Sequence, residues 1–284
     1  MQRILSTYRF VNQPLTPATL EAIAQAEIPC VEVFCASNHF AYRNPQTLRE
    51  LAGALADYGL TLHSLHAPTE RSVSAVRESG FPISISEPER VRRQDAVDEV
   101  KRALEVAETI PFRYLIQHFG SSRQAADPRS FDAAFGSLEH LAIFAKHRGV
   151  TIALENTPSE VGAPASLQRF IKETHLRDLR FCFDIGHAHL DGGVDANFAL
   201  MRDLVVTTHI HDNHGEKDEH LLPYEGSIDW DAALAALSGA AEMPAMVFEL
   251  KEQAAGGPAL DQIRAAFDKV EKNLDKKGAR SSRA

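Results

Sequence analysis

The sequence predicts a single (β/α)₈ barrel, an α/β fold in which eight parallel strands close inside a ring of helices. Three observations lead there. Short apolar runs alternate with amphipathic helical segments along the whole chain, eight times over. The 284 residues are close to the roughly 250 typical of such a barrel. Histidines and carboxylates also cluster at the C-terminal ends of the apolar runs, the face on which these barrels build their sites.

The elements follow in order. Ile4–Tyr8 and Val31–Phe34 are the first two candidate strands. Asp57-Tyr58-Gly59 closes the helix that follows them, glycine being the residue that most easily takes a left-handed helix stop. Thr61–His66 is the third strand, and a long connection from Pro68 to Pro88 separates it from its helix. Connections of that length in compact domains are often lids or binding loops. In the helix itself Val97, Val100, Leu104 and Ala107 recur at helical spacing. Tyr114–His118 is the fourth strand, followed by a helix carrying Phe131, Phe135, Leu138 and Ala142 on one face and ending in His147-Arg148-Gly149. Thr151–Glu155, Arg180–Asp184, Val205–His211 and Ala245–Glu249 complete the set. A doubly wound open sheet would share this alternation, but no glycine-rich phosphate loop follows the first strand. No shift in composition marks a second domain, so one barrel is expected over residues 1–275, with a polar, basic tail at 276–284.

Composition narrows the function classes. Apolar residues make up 44% and charged residues 24%, as in an ordinary globular domain, and no segment is apolar enough to span a bilayer. The opening MQRILSTYRF lacks the apolar run of a secretory signal, so a cytoplasmic location is the expectation. Cys30, Cys35 and Cys182 are too few and too irregular for a disulfide framework and read as small core residues. A net charge of −9 disfavours a nucleic-acid partner. The basic stretch Arg90, Arg92, Arg93 reads as the solvated start of a helix.

The 13 histidines are the unusual feature. His66, His118, Glu155, Asp184 and Glu249 each end a candidate strand; His187 follows the sixth, His209 and His211 lie on the seventh, and Asp218 and His220 follow it. Taken singly, a strand-end histidine is more often a hydrogen-bonded structural residue. Together at one barrel mouth, these imidazoles and carboxylates would be left repelling or unpaired without a cation. A mixed nitrogen and oxygen ligand set suits zinc, manganese or iron. Of the seventh-strand pair, His209 is expected to look into the barrel as a ligand and His211 to point to the opposite face in a neighbouring polar role.

The motifs His66-Ala67-Pro68, Glu155-Asn156-Thr157-Pro158 and Phe183-Asp184-Ile185-Gly186-His187, with His209-Ile210-His211-Asp212-Asn213, Asp218-Glu219-His220 and Glu225-Gly226-Ser227-Ile228-Asp229-Trp230, resemble the xylose-isomerase-like barrel superfamily. That superfamily contains sugar isomerases and epimerases and the endonuclease IV repair enzymes. The likeness to its ketose-epimerase branch implies one divalent metal, zinc or manganese, on Glu155, Asp184, His209 and Glu249, with His187 against the substrate. The likeness to its endonuclease IV branch implies further ligands at His66, His118, His187, Asp218 and His220. Barrels of the superfamily often pair, so the resemblance admits a homodimer without fixing the oligomeric state.

Two functions follow from the resemblance. The first is a metal-dependent isomerase or epimerase of sugars or sugar phosphates, in which Glu155 and Glu249 pass a carbon-bound proton through a metal-stabilised enediolate and His187 holds a substrate oxygen. Glu32, His39, Arg71 and His211 are the candidate substrate-binding residues, with Arg77 and Tyr42 as weaker ones. The second is a metal-dependent phosphodiester hydrolase acting on abasic DNA, which the charge balance opposes.

Overall fold

The computed structural model describes residues 2–70, 82–121, 124–240, 242–252 and 258–281, with side chains described as far as 276. Its strands are β1 Arg3–Ser6, β2 Cys30–Phe34, β3 Thr61–His66, β4 Tyr114–His118, β5 Thr151–Glu155, β6 Arg180–Asp184, β7 Val205–Ile210 and β8 Ala245–Phe248. Each pairs in parallel with its neighbour in sequence, and β8 returns to β1, so the sheet closes into a barrel. The helices are α1 Pro17–Gln25, α2 Pro45–Asp57, α3 Arg90–Glu105, α4 Pro128–Lys146, α5 Pro164–Thr174, α6 Ile185–Leu190, α7 Val194–Met201, α8 Trp230–Ser238 and α9 Leu260–Ser281. Position 276, where the sequence suggests a polar tail, lies inside α9. No helix among the described residues is long and apolar enough to cross a membrane.

Local chemistry sets the helix ends. Thr16, Asn44, Asp127 and Asp229 each accept a hydrogen bond from a backbone N–H in the first turn of α1, α2, α4 and α8, satisfying donors that have no partner within the helix. Proline sits in the first turn of α1, α2, α4 and α5, where its missing N–H costs nothing. Gly59 and Gly149, just past α2 and α4, take φ of +67° and +71°, the left-handed stop expected of them. Glu89 caps α3 through the N–H groups of Val91 and Arg92, so Arg90, Arg92 and Arg93 form the start of that helix.

The main core lies between sheet and helices, where Leu5, Val31, Val33, Leu65, Leu115, Leu154, Phe181 and Phe248 meet Leu20, Leu104, Leu138, Phe170, Leu234 and Phe267. Within the barrel, Ile4, Cys30 and Val247 form one small layer and Tyr114, Ile116, Ala153 and Cys182 another. All three cysteines are free and buried. Polar residues stand above this apolar plug, so the strand ends rather than the strand middles carry the chemistry.

The first strand is shorter than its apolar run. Ser6 accepts from the Tyr8 N–H and opens a 3-10 turn over Thr7–Phe10. Tyr8 therefore leaves the sheet and lies over the barrel mouth, its ring 5.2 Å from that of His220.

Candidate metal centre and active site

Among the described residues, three groups of side chains bring candidate ligand atoms to within 4.8 Å of one another. The first is Glu155, Asp184, His209 and Glu249; the second is His66, His118 and Glu155; the third is His187, His211, Asp218 and His220. Glu155 belongs to two of them. Parallel closure is what joins these residues, because the C-terminal ends of β3 to β8 all open on the same mouth.

Backbone geometry aims the histidines. His66 Nδ1 lies 2.8 Å from the Ala67 carbonyl, His187 Nδ1 2.9 Å from that of Asn156, and His220 Nδ1 2.9 Å from that of Glu249. Each carbonyl takes the ring N–H and turns the bare Nε2 toward the cluster, the arrangement that metal-binding imidazoles use. His66 Nε2 and His118 Nε2 both lie 3.2 Å from Glu155 Oε2. His187 Nε2 and His220 Nε2 lie 3.4 and 2.9 Å from Asp218 Oδ2.

The Phe-Asp-Ile-Gly-His motif acts through its helix start. Asp184 caps α6, its Oδ1 accepting from the His187 N–H at 2.6 Å, which locks His187 at the third helical position. Asn156 clamps the same corner: its Oδ1 accepts from the Asp184 N–H and its Nδ2 donates to the Asp184 carbonyl. A Cβ on Gly186 would come within 2.0 Å of the His211 ring, so only glycine lets that ring pack there.

The first group fits a cation. His209 Nδ1 stands 3.2 Å from Glu155 Oε1, 3.5 Å from Glu249 Oε2 and 3.8 Å from Asp184 Oδ2. Even so, His209 Nδ1, Glu155 Oε1 and Glu249 Oε1 have no hydrogen-bond partner. Converging lone pairs, fully buried and not joined by hydrogens, leave a cost that a divalent ion removes.

Electrostatics tell the same story from the protonated side. Burial disfavours the charged form of Glu155, but His209, His118 and His187 outweigh it and hold the carboxyl well below its usual range. Burial also opposes charge on His187 and His209. Asp184, Asp218 and Glu155 nevertheless hold His187 well above its usual value, and Cys182 with the carboxylates Glu249, Glu155 and Glu32 does the same for His209.

The residues expected to bind substrate fare differently. Glu32 is fully buried and does not reach the cavity; it lies beneath His209, with Oε1 3.2 Å from His209 Nε2, and accepts from Ser64 Oγ at 2.7 Å. His39 spends both ring nitrogens on the Gln13 carbonyl and the Thr7 hydroxyl, and Tyr42 donates to Glu99, so both are structural. Arg71 and Arg77 lie outside the described residues. His211 faces the mouth and not the opposite face expected of it. Residues two apart on a strand share a face, so His211 turns toward the mouth as His209 does. It sits just past the end of β7, its Nε2 3.0 Å from Asp184 Oδ2, within the third ligand group.

Over the cluster lies a cavity of about 330 Å³, lined by His66, His118, Glu155, His187, Asp218, His220 and Glu249 below and by Tyr8, Phe34, Glu70, Lys251 and Glu252 around the rim. Thr69 and Ile83 close the base of the long connection by a backbone hydrogen bond, which brings Thr69 and Glu70 to the cavity wall. Tyr8, Lys251 and Glu252 carry no metal-ligand pattern, and only the turn at Ser6 would have pointed to the first of them.

Asp212 is the support that sequence reading passed over. Fully buried, it accepts from the N–H groups of Asn213, Tyr224 and Ile228 and from Trp230 Nε1. It thereby folds the loop carrying Asp218 and His220 back onto β7. Asp212→Ala strands these donors. It is expected to cost about 2–4 kcal/mol of stability, read by denaturant unfolding; unchanged unfolding would remove this role.

A family model described as xylose isomerase-like TIM barrel matches residues 20–272. The uncharacterized protein MJ1311 of Methanocaldococcus jannaschii is 27% identical over 236 residues, which is 80% of this chain and 75% of that one. A crystal structure titled D-tagatose 3-epimerase-like protein superposes with a TM-score of 0.81 at 21% identity, covering 99% of this chain and 100% of the other. A structure titled L-ribulose 3-epimerase gives 0.80 at 16% identity, covering 99% and 96%. At these identities the structural likeness speaks for the fold.

Proposed function

Because the chain belongs to the xylose isomerase-like TIM barrel family, we propose that it is a divalent-metal-dependent isomerase or epimerase of sugars or sugar phosphates. The observation that carries this reading is the pairing of Glu155 and Glu249. Their oxygens lie within 4.8 Å in one ligand group, at the floor of a cavity about the size of a small-molecule site. The neighbours titled D-tagatose 3-epimerase-like protein and L-ribulose 3-epimerase support the same reading.

Glu155, Asp184, His209 and Glu249 would hold the ion, and the mixed donor set suits zinc or manganese. Bound there, a divalent cation supplies Lewis acidity toward adjacent oxygens of a hydroxy-ketone. The protein does the proton work. One of the two glutamates takes the proton from the carbon beside the carbonyl and the other returns it, on the opposite face for an epimerase. His187, fixed through Asn156 and Asp184, offers Nε2 to a substrate oxygen. Phe34 and Tyr8 give the cavity an apolar wall that limits water.

The test is proton exchange. Metal-loaded protein incubated with a panel of ketoses in deuterated water is expected to place deuterium on the carbon next to the carbonyl. No exchange over a broad panel, with cleavage of abasic duplex DNA, would reverse the ranking in favour of a phosphodiester hydrolase. One observation favours that second reading: three ligand groups open on one mouth, two of them sharing Glu155. Against it stand a net charge of −9 and a rim that carries Glu70 and Glu252 beside Lys251, a poor surface for a polyanion.

A further inference from the structure

We propose that Glu32 is a positioning residue for the metal centre, acting through His209. The inference rests on the reading that Glu155, Asp184, His209 and Glu249 hold a divalent ion. His66, His187 and His220 are steered by peptide carbonyls that take Nδ1–H. His209 is arranged the other way round. Its Nε2 faces the Glu32 carboxylate, at 3.2 Å from Oε1 and 3.4 Å from Oε2, and its Nδ1 faces the ligand group. A carboxylate behind the ring fixes the proton on Nε2, frees the Nδ1 lone pair and makes it a stronger donor than a carbonyl would.

The cost of keeping Glu32 argues for this role. It is fully buried, and neither Lys nor Arg pairs with it among the described residues. A neutral glutamine would fill the same space without a buried charge. A carboxylate there finds its balance across the imidazole, in the cation on the other side. Ser64, donating to Oε2 at 2.7 Å, holds the carboxylate in line. Glu32, Ser64 and His209 come from β2, β3 and β7, so the relay braces the barrel floor under the ion.

The test is Zn²⁺ titration of metal-free wild type and Glu32→Gln against a competing chelator, alongside thermal unfolding of both metal-free proteins. One ion per chain is expected to bind about 10–100-fold more weakly in the variant, whatever happens to the unfolding temperature. A purely structural role would move the unfolding temperature and leave every zinc affinity as in wild type, and that result overturns the proposal. If Glu32→Gln does not yield folded protein, Ser64→Ala carries the test: about fivefold weaker binding is expected, and unchanged affinity overturns the proposal. The titration contains no substrate. A chain that loses zinc in this way but exchanges no sugar proton therefore fails the proposed function and not this inference.

Discussion

Glu249→Gln is expected to slow carbon-bound proton exchange by about 10²–10⁴-fold, the range that a positioned acid or base contributes. The residue is nearly buried at 3% exposure, yet it forms part of the cavity wall. Its backbone is committed elsewhere: the N–H donates to the Ile210 carbonyl, and its own carbonyl steers His220. Glutamine preserves the size of the side chain and every one of these main-chain contacts. What it removes is the ability to take up a proton. It also weakens one ligand to the ion, so zinc content must be measured on the same samples and exchange read at saturating metal. Glu252→Gln makes the comparison, since Glu252 lies at the rim and outside the ligand groups; it is expected to stay within a few-fold of wild type. Wild-type exchange in metal-loaded Glu249→Gln would remove this glutamate from the proton path.

Much of this arrangement can be read from the chain, for physical reasons. The strands β3 to β6 match their sequence bounds because each is a short apolar run that begins after a turn and ends at the first charged or imidazole residue of the mouth. β1 is shorter than its apolar run because a serine side chain can open a tight turn inside it, and composition alone does not say when it will. The convergence of His66, His118, Glu155, Asp184, His187, His209, Asp218, His220 and Glu249 follows from parallel closure. Depth does not. Glu32 looks like a mouth residue by position but lies below it against His209, and His39, in the loop after β2, is tied to Thr7 and Gln13 after β1. The face of His211 does follow from strand periodicity, since residues two apart share a face. Asn156 and Asp212 bond mostly to groups that are remote in sequence, and no local pattern announces such contacts.

Removing the metal is expected to reverse how stability depends on pH. In the metal-free protein, His187 and His209 are held well above their usual values and His66 and His220 are raised, neighbouring carboxylates, with Cys182 beside His209, outweighing burial. Charged histidine is then favoured in the fold. Its contribution is complete below the unfolded value of about 6.5 and is lost as pH rises through the higher folded values. Glu155, Asp184 and Asp218 are lowered, histidines outweighing burial. Their contribution is complete above the unfolded carboxylate values of about 4 and is lost as pH falls through the lower folded ones. Metal-free protein should therefore be most stable between about pH 4.5 and 6.5 and weaken above that window. The loaded protein should do the opposite, because an ion binds only to imidazoles that have lost their proton, so its contribution grows with pH. At a thousandfold excess over Kd the ion is worth about 4 kcal/mol, on the order of 10 °C in Tm for a domain of this size. Thermal unfolding from pH 5 to about 8.5, with zinc and with chelator, should show a gap that opens as pH rises. A gap that stays constant, or metal-free protein most stable near pH 8, would mean that these side chains meet for some purpose other than holding a cation.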